Sequence, residues 1–115
     1  MKKYALFAFN GEMMCFIHVL LNALDMAAKG HEVKVVIEGA ACKLVPDLAK
    51  EGGMLHQPYQ KAKSQGLIAG ACRACSAKMG ATAAVEAEVL PFLDDMSGHP
   101  SMTAFLDQGF EVITF

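Results

Sequence analysis

The sequence predicts an α/β fold, a three-layer open parallel sheet with helices on both faces, in a single domain spanning residues 1–115. Three observations lead to it. Short runs rich in β-branched and aromatic residues recur along the chain. Helix-forming stretches closed by glycine separate them. The first of these stretches is long enough to carry the chain from one strand to a parallel neighbour, a connection that is right-handed in nearly all proteins.

Residues 3–9 form the first expected strand. Met1-Lys2-Lys3 ahead of an apolar run begins like a signal peptide, but the run is short and no small-residue cleavage site precedes Gly11. A helix from Glu12 to Lys29 follows, capped by Gly30, and residues 32–37 form the second strand. The stretch from Ala40 to Val45 is a helix candidate interrupted by Pro46, which opens a turn through Lys50. Pro58 opens a helix over Tyr59–Gln65, stopped by Gly66. The third strand covers 67–71 and runs directly into a helix, Cys72 to Met79, closed by Gly80; a further short helix runs from Thr82 to Glu88. Pro100 opens Ser101–Gln108 before Gly109, and residues 110–115 form the fourth strand.

Within the first helix, His18, Asn22, Asp25 and Lys29 draw one narrow hydrophilic stripe. The remaining residues, Met13 to Ala28, are apolar over more of the circumference than one sheet face buries, which predicts a subunit interface and a homo-oligomer.

Composition removes several classes of function. With 115 residues, 54% hydrophobic and 19% charged, the chain has a core that needs no metal or disulfide to hold it. Ten Lys+Arg against twelve Asp+Glu, with scattered lysines, leave no electrostatic footprint for nucleic acid or an anionic membrane. The longest strongly apolar stretch, Met13 to Leu21, falls well short of the ~20 residues that cross a bilayer. No G-x-G-x-x-G or G-x-x-x-x-G-K-[ST] motif cradles a phosphate, and no cofactor is implied. These features predict a soluble, cytoplasmic protein. In that reducing compartment its four cysteines are thiols, metal ligands or redox groups rather than permanent disulfides.

Ligands of open parallel sheets gather beyond the carboxyl ends of the strands. The loops at that edge start at Asn10, Glu38, Ala71 and the segment before Pro100, which makes Asn10, Gly11, Cys42, Arg73 and His99 auxiliary pocket candidates. Cys15, between Met14 and Phe16, reads as a core thiol. Cys72-Arg73-Ala74-Cys75 carries the strongest signal. A thiol at a helix start feels unpaired N–H groups, and Arg73 and Lys78 add positive charge, so Cys72 is expected to be a reactive thiolate with Cys75 one turn away. His56 and His99 lie in loops, His18 and His31 read as surface residues, and Asp94-Asp95 reads as turn and helix-start chemistry.

The stretch Gly66-Leu67-Ile68-Ala69-Gly70-Ala71-Cys72-Arg73-Ala74-Cys75-Ser76-Ala77-Lys78-Met79-Gly80 resembles the segment of DsrE-like proteins in which a cysteine ends a strand and opens a short Ala-rich helix. The strand ending in Asn10-Gly11, the helix ending in Lys29-Gly30-His31 and the strand exit Val35-Val36-Ile37-Glu38-Gly39-Ala40 fit the same pattern. The resemblance implies a flavodoxin-like domain, assembly as trimers or hexamers, and a relay of persulfide sulfur between donor and acceptor proteins with Cys72 in the sulfur-carrying position. Cys75 departs from that pattern by supplying a second thiol. Two other chemistries therefore stand beside a sulfurtransferase-like carrier: a zinc or iron–sulfur site in which Cys42, Cys15, His56 or His99 completes the shell begun by Cys72 and Cys75, and a dithiol redox protein.

Overall fold

The computed structural model describes all residues from Met1 to Phe115. Its elements are β1 (Lys3–Ala8), α1 (Met13–Ala28), β2 (Glu32–Ile37), a 3-10 helix (Gly39–Leu44), α2 (Val45–Ala49), α3 (His56–Ser64), β3 (Ile68–Cys72), α4 (Arg73–Lys78), α5 (Thr82–Ala87), β4 (Phe92–Leu93), α6 (Met102–Leu106) and β5 (Glu111–Thr114). The five strands form one all-parallel sheet in the order β4-β3-β2-β1-β5. The architecture is the expected three-layer, flavodoxin-like α/β one.

The strand order explains why the layers are unequal. From β1 to β4 each strand is laid beside its predecessor in the same direction, so right-handed crossovers put every intervening helix on one face. The return to β5, at the opposite edge, leaves only α6 for the other face. Alternation along the strands follows this division. Leu6, Ala8, Val33, Val35 and Ile37 enter a cluster of 22 buried residues with α1, α3 and α5, whereas Ala5, Phe7, Val36 and Phe110 form a cluster of four beneath α6. Phe105 closes the smaller layer edge-on against Phe7 and Phe110, with ring centroids 5.5 and 5.6 Å apart.

Several boundaries differ from the sequence reading. The fifth strand, β4, is only two residues long and follows Pro91, so it carries no run of β-branched residues to announce it. The candidate helix at Ala40 to Val45 is a 3-10 helix that leads into α2, with Pro46 in the first turn where a missing N–H costs nothing. Helix α3 begins at His56, two residues ahead of Pro58, which a first turn tolerates for the same reason. Between β2 and β3 the register slips, Val35 facing Ile68 but Val36 facing Gly70. A Cβ on Gly70 would collide with the Pro91 carbonyl, which instead accepts the Ala71 N–H at 2.9 Å and brings β4 onto the sheet.

On α1, Phe16, Val19, Leu20 and Ala23 are buried, and the polar stripe faces water, with Lys29 paired to Asp25 at 2.9 Å. Met14 and Leu21 remain 66% and 49% exposed. No helix is long and apolar enough to cross a membrane.

Candidate functional site

The carboxyl edge of the sheet brings together residues far apart in sequence. Glu38 leaves β2 and caps the 3-10 helix by accepting the Gly39 N–H. Cys72 is the last residue of β3 and Cys75 lies in the first turn of α4. His99 follows β4 in the turn 94–99. That turn is pinned from three sides: Met96 and His99 exchange backbone hydrogen bonds at 2.8 and 2.9 Å, the Ala74 N–H donates to the Gly98 carbonyl at 2.9 Å, and Arg73 Nε pairs with Asp94 at 2.8 Å. One ligating atom from each of Glu38, Cys72, Cys75 and His99 lies within 4.8 Å of all the others.

Within this cluster the Cys72 Sγ is 3.2 Å from His99 Nδ1 and accepts the Cys75 N–H at 3.3 Å. The Cys75 thiol donates to Glu38 Oε1 at 3.3 Å and lies 3.7 Å from His99 Nδ1. Glu38 Oε1 and His99 Nδ1 are 4.0 Å apart. Ser76, fully buried beneath them, is satisfied by the Cys72 carbonyl at 2.7 Å.

The structure corrects the expected state of Cys72. Its side chain is sealed beneath the 94–99 turn with no exposed surface, and burial, followed by hydrogen bonding with Cys75, pushes its thiol well above the ordinary cysteine value. Two supports expected for a thiolate are weak. Helix α4 has only six residues, and the Arg73 guanidinium turns outward to Asp94 and over the Phe92 ring, 4.7 Å from its centre. Cys75 is the partly exposed thiol of the pair.

Of the other candidates, His99 joins the four-atom cluster, Cys42 lies beside it near Ser76, Cys75 and Glu38, and the rest are not part of it. Cys42 is buried in the main core, donates to the Ile37 carbonyl at 3.5 Å, and burial raises its pKa to about 11. Cys15 is half-buried on α1, so neither it nor Cys42 completes the four-atom cluster as the metal reading expected. Asn10 caps the approach to α1 by accepting the Glu12 N–H at 2.8 Å. Gly11 packs against Ala40 and Lys43, where a Cβ would come within 2.6 Å of the lysine side chain. His56 is held by the Leu48 carbonyl at 2.9 Å, and Asp95 accepts the Ser101 N–H at 2.9 Å, both as structural contacts.

Sequence alone points to the loop that starts at Glu38 and not to its side chain. A lone carboxylate closing an apolar run at the ligand-binding edge of a parallel sheet was the available signal. Burial supplies the rest: Glu38 is 7% exposed, and the nearest basic side chain to it is the His99 imidazole.

Comparison with known proteins places the chain among archaeal relatives. It is 31% identical over 101 residues to the uncharacterized protein MJ0733 of Methanocaldococcus jannaschii, an alignment covering 88% of this chain and 80% of that protein. The chain belongs to the family of this archaeal protein. An uncharacterized protein of Archaeoglobus fulgidus is 36% identical over 59 residues, covering 51% of this chain and 95% of its own length. No family model matches.

Proposed function

We propose that the protein is a sulfur carrier of sulfurtransferase type, relaying sulfane sulfur on the Cys72–Cys75 pair. The observation that carries this reading is the convergence of two thiols, an imidazole and a carboxylate within 4.8 Å at the ligand-binding edge of the sheet. The resemblance of Gly66–Gly80 to the DsrE-like segment supports the same chemistry.

On the different burial of the two thiols we assign the roles in the opposite order to the one expected from sequence, with Cys75 as carrier and Cys72 as resolving thiol. Cys75 is the reachable one, with the Glu38 carboxylate 3.3 Å from its sulfur to take the proton. Its thiolate attacks the outer sulfur of a donor persulfide. The donor S–S bond breaks, the donor leaves as a thiol carrying the proton from Glu38, and Cys75 keeps the persulfide. An acceptor thiolate attacking the outer sulfur takes it away and restores Cys75. Cys72 waits behind with His99 Nδ1 at 3.2 Å to take its proton. It attacks the inner sulfur when no acceptor comes, releasing hydrosulfide and leaving a Cys72–Cys75 disulfide that a dithiol reductant reopens. No cofactor enters these steps. The partners are sulfur donor and acceptor proteins in the cytoplasm and, from exposed Met14 and Leu21, further copies of this chain, in the trimer or hexamer that the DsrE-like resemblance implies; a monomer in sedimentation at micromolar concentration would exclude the assembly.

The test is intact mass after the reduced protein meets a low-molecular-weight persulfide. With no acceptor present, Cys72→Ser gains the mass of one sulfur atom, mapped to Cys75, and releases no hydrosulfide, whereas the wild type releases hydrosulfide and ends as the Cys72–Cys75 disulfide. Cys75→Ser gains no sulfur. No adduct on Cys72→Ser, no hydrosulfide from the wild type, or an undiminished adduct on Cys75→Ser, overturns the reading.

A further inference from the structure

The four atoms that serve sulfur transfer are also arranged as a coordination shell, and we propose that Glu38, Cys72, Cys75 and His99 bind a divalent zinc-type cation in a closed tetrahedral site. Geometry is the first argument. Zinc holds thiolate sulfur near 2.3 Å and imidazole nitrogen or carboxylate oxygen near 2.0–2.2 Å, so neighbouring ligand atoms around it are separated by roughly 3.3–3.8 Å. The corresponding separations here are 3.2 Å from Cys72 to His99, 3.3 Å from Cys75 to Glu38, 3.7 Å from Cys75 to His99 and 4.0 Å from Glu38 to His99. The two remaining pairs, Cys72 to Cys75 and Cys72 to Glu38, lie within 4.8 Å, so an ion would draw Cys72 toward the other donors by up to about an ångström.

Charge is the second argument. A buried carboxylate is costly unless a cation meets it. The Glu38 carboxylate is surrounded by two thiols and an imidazole, while Arg73, the basic residue adjacent in the site, is committed to Asp94. A divalent ion gives the carboxylate a cationic partner in direct contact and ionises both thiols, whose two protons pass to the buffer, so the net charge of the cluster is unchanged.

Preorganisation is the third. The donors come from the ends of β2, β3 and α4 and from the pinned 94–99 turn, and the Cys75 N–H already donates to the Cys72 sulfur, as outer contacts do at metal–thiolate sites. Two sulfurs are too few for a cluster held by four cysteines, and the mixed S, N and O set suits zinc. A shell of four protein ligands leaves no open position, so the ion and the transferred sulfur compete for the same two thiols.

Reduced, chelator-washed full-length protein is titrated with zinc against a chromophoric chelator, and separately with cobalt(II) by absorption spectroscopy. We expect one ion per chain, release of about two protons, and the intense visible bands and thiolate charge transfer of tetrahedral cobalt. Zinc slows alkylation of Cys72 and Cys75 but leaves Cys15 unaffected, a readout that needs no variant. Glu38→Gln and His99→Ala each weaken zinc by about tenfold or more, and Cys15→Ser leaves it unchanged. Failure to bind equimolar zinc, an octahedral cobalt spectrum, or stoichiometric zinc retained after Cys72→Ser and Cys75→Ser together overturns the site. The persulfide adduct is measured on metal-free protein, so either reading fails without the other.

Discussion

A thiol's chemistry is decided by what surrounds its sulfur, and the four cysteines here have four surroundings. Cys42 is a core residue, Cys15 sits half-buried on a helix, Cys72 is sealed beneath a turn, and Cys75 faces a carboxylate and partial solvent. The C-x-x-C spacing made the last two legible in the sequence as a pair. It did not disclose their order of access, because the seal over Cys72 comes from Gly98 and His99, more than twenty residues on. Glu38 was likewise hidden and His99 legible only as a loop residue at the strand-exit edge, since parallel topology rather than sequence spacing brings them together. A second polar device lies in the core. The Tyr59 hydroxyl, on a side chain with no exposed surface, donates to Glu88 at 2.7 Å, and Lys63 adds a contact at 3.3 Å. The Tyr59 hydrogen bond, then Lys63, holds the Glu88 carboxyl below its ordinary value of 4.5. A depressed carboxylate contributes stability above its unfolded pKa and loses it as pH falls through the folded one. Tyr59→Phe should therefore cost about 1.5–3 kcal/mol near neutrality and much less below about pH 4, as measured by urea unfolding. An equal loss at both pH values would contradict the assignment.

Helix endings show how local chemistry serves the larger packing. Helices α1, α3, α4 and α6 end in the same paired backbone turn, with Gly30, Gly66, Gly80 and Gly109 in the left-handed position. Helix α5 uses that turn too, with Val89 donating to the Glu86 carbonyl at 3.0 Å and Leu90 to that of Val85 at 3.2 Å. Its left-handed residue is Val89 at φ 57°, 83% exposed. The turn is held by Leu90 and Val85, both buried, at the cost of a β-branched residue in a conformation that suits glycine. Val89→Gly should raise stability by about 1 kcal/mol and the melting temperature by about 4 °C; an unchanged or lower melting temperature would show that Val89 is not strained. The glycines that end four helices made those elements readable, as did the aromatic and apolar run of β1 and the β-branched runs of β2 and β5. The β4 strand was not readable, because two residues offer no periodicity and its place depends on Gly70 letting Pro91 approach.

At the scale of the whole molecule, the handed path of the chain places the site. Laying β1 to β4 in one direction stacks the exits of β2, β3 and β4 side by side at one corner, and each exit contributes to the cluster. The same path thickens one face of the sheet and leaves the other to α6, an asymmetry that the alternating strand and helix pattern alone did not disclose. The two thiols at that corner differ in access, Cys75 being partly exposed and Cys72 fully buried, and the proposed sulfur transfer rests on that difference. The most direct measurement is the rate of alkylation of each cysteine in the folded, reduced, metal-free protein, resolved by proteolytic mapping. The account predicts that Cys75 reacts at least roughly tenfold faster than Cys72 and Cys42. Cys72 reacting first, or Cys75 reacting as slowly as the core thiol Cys42, would contradict it.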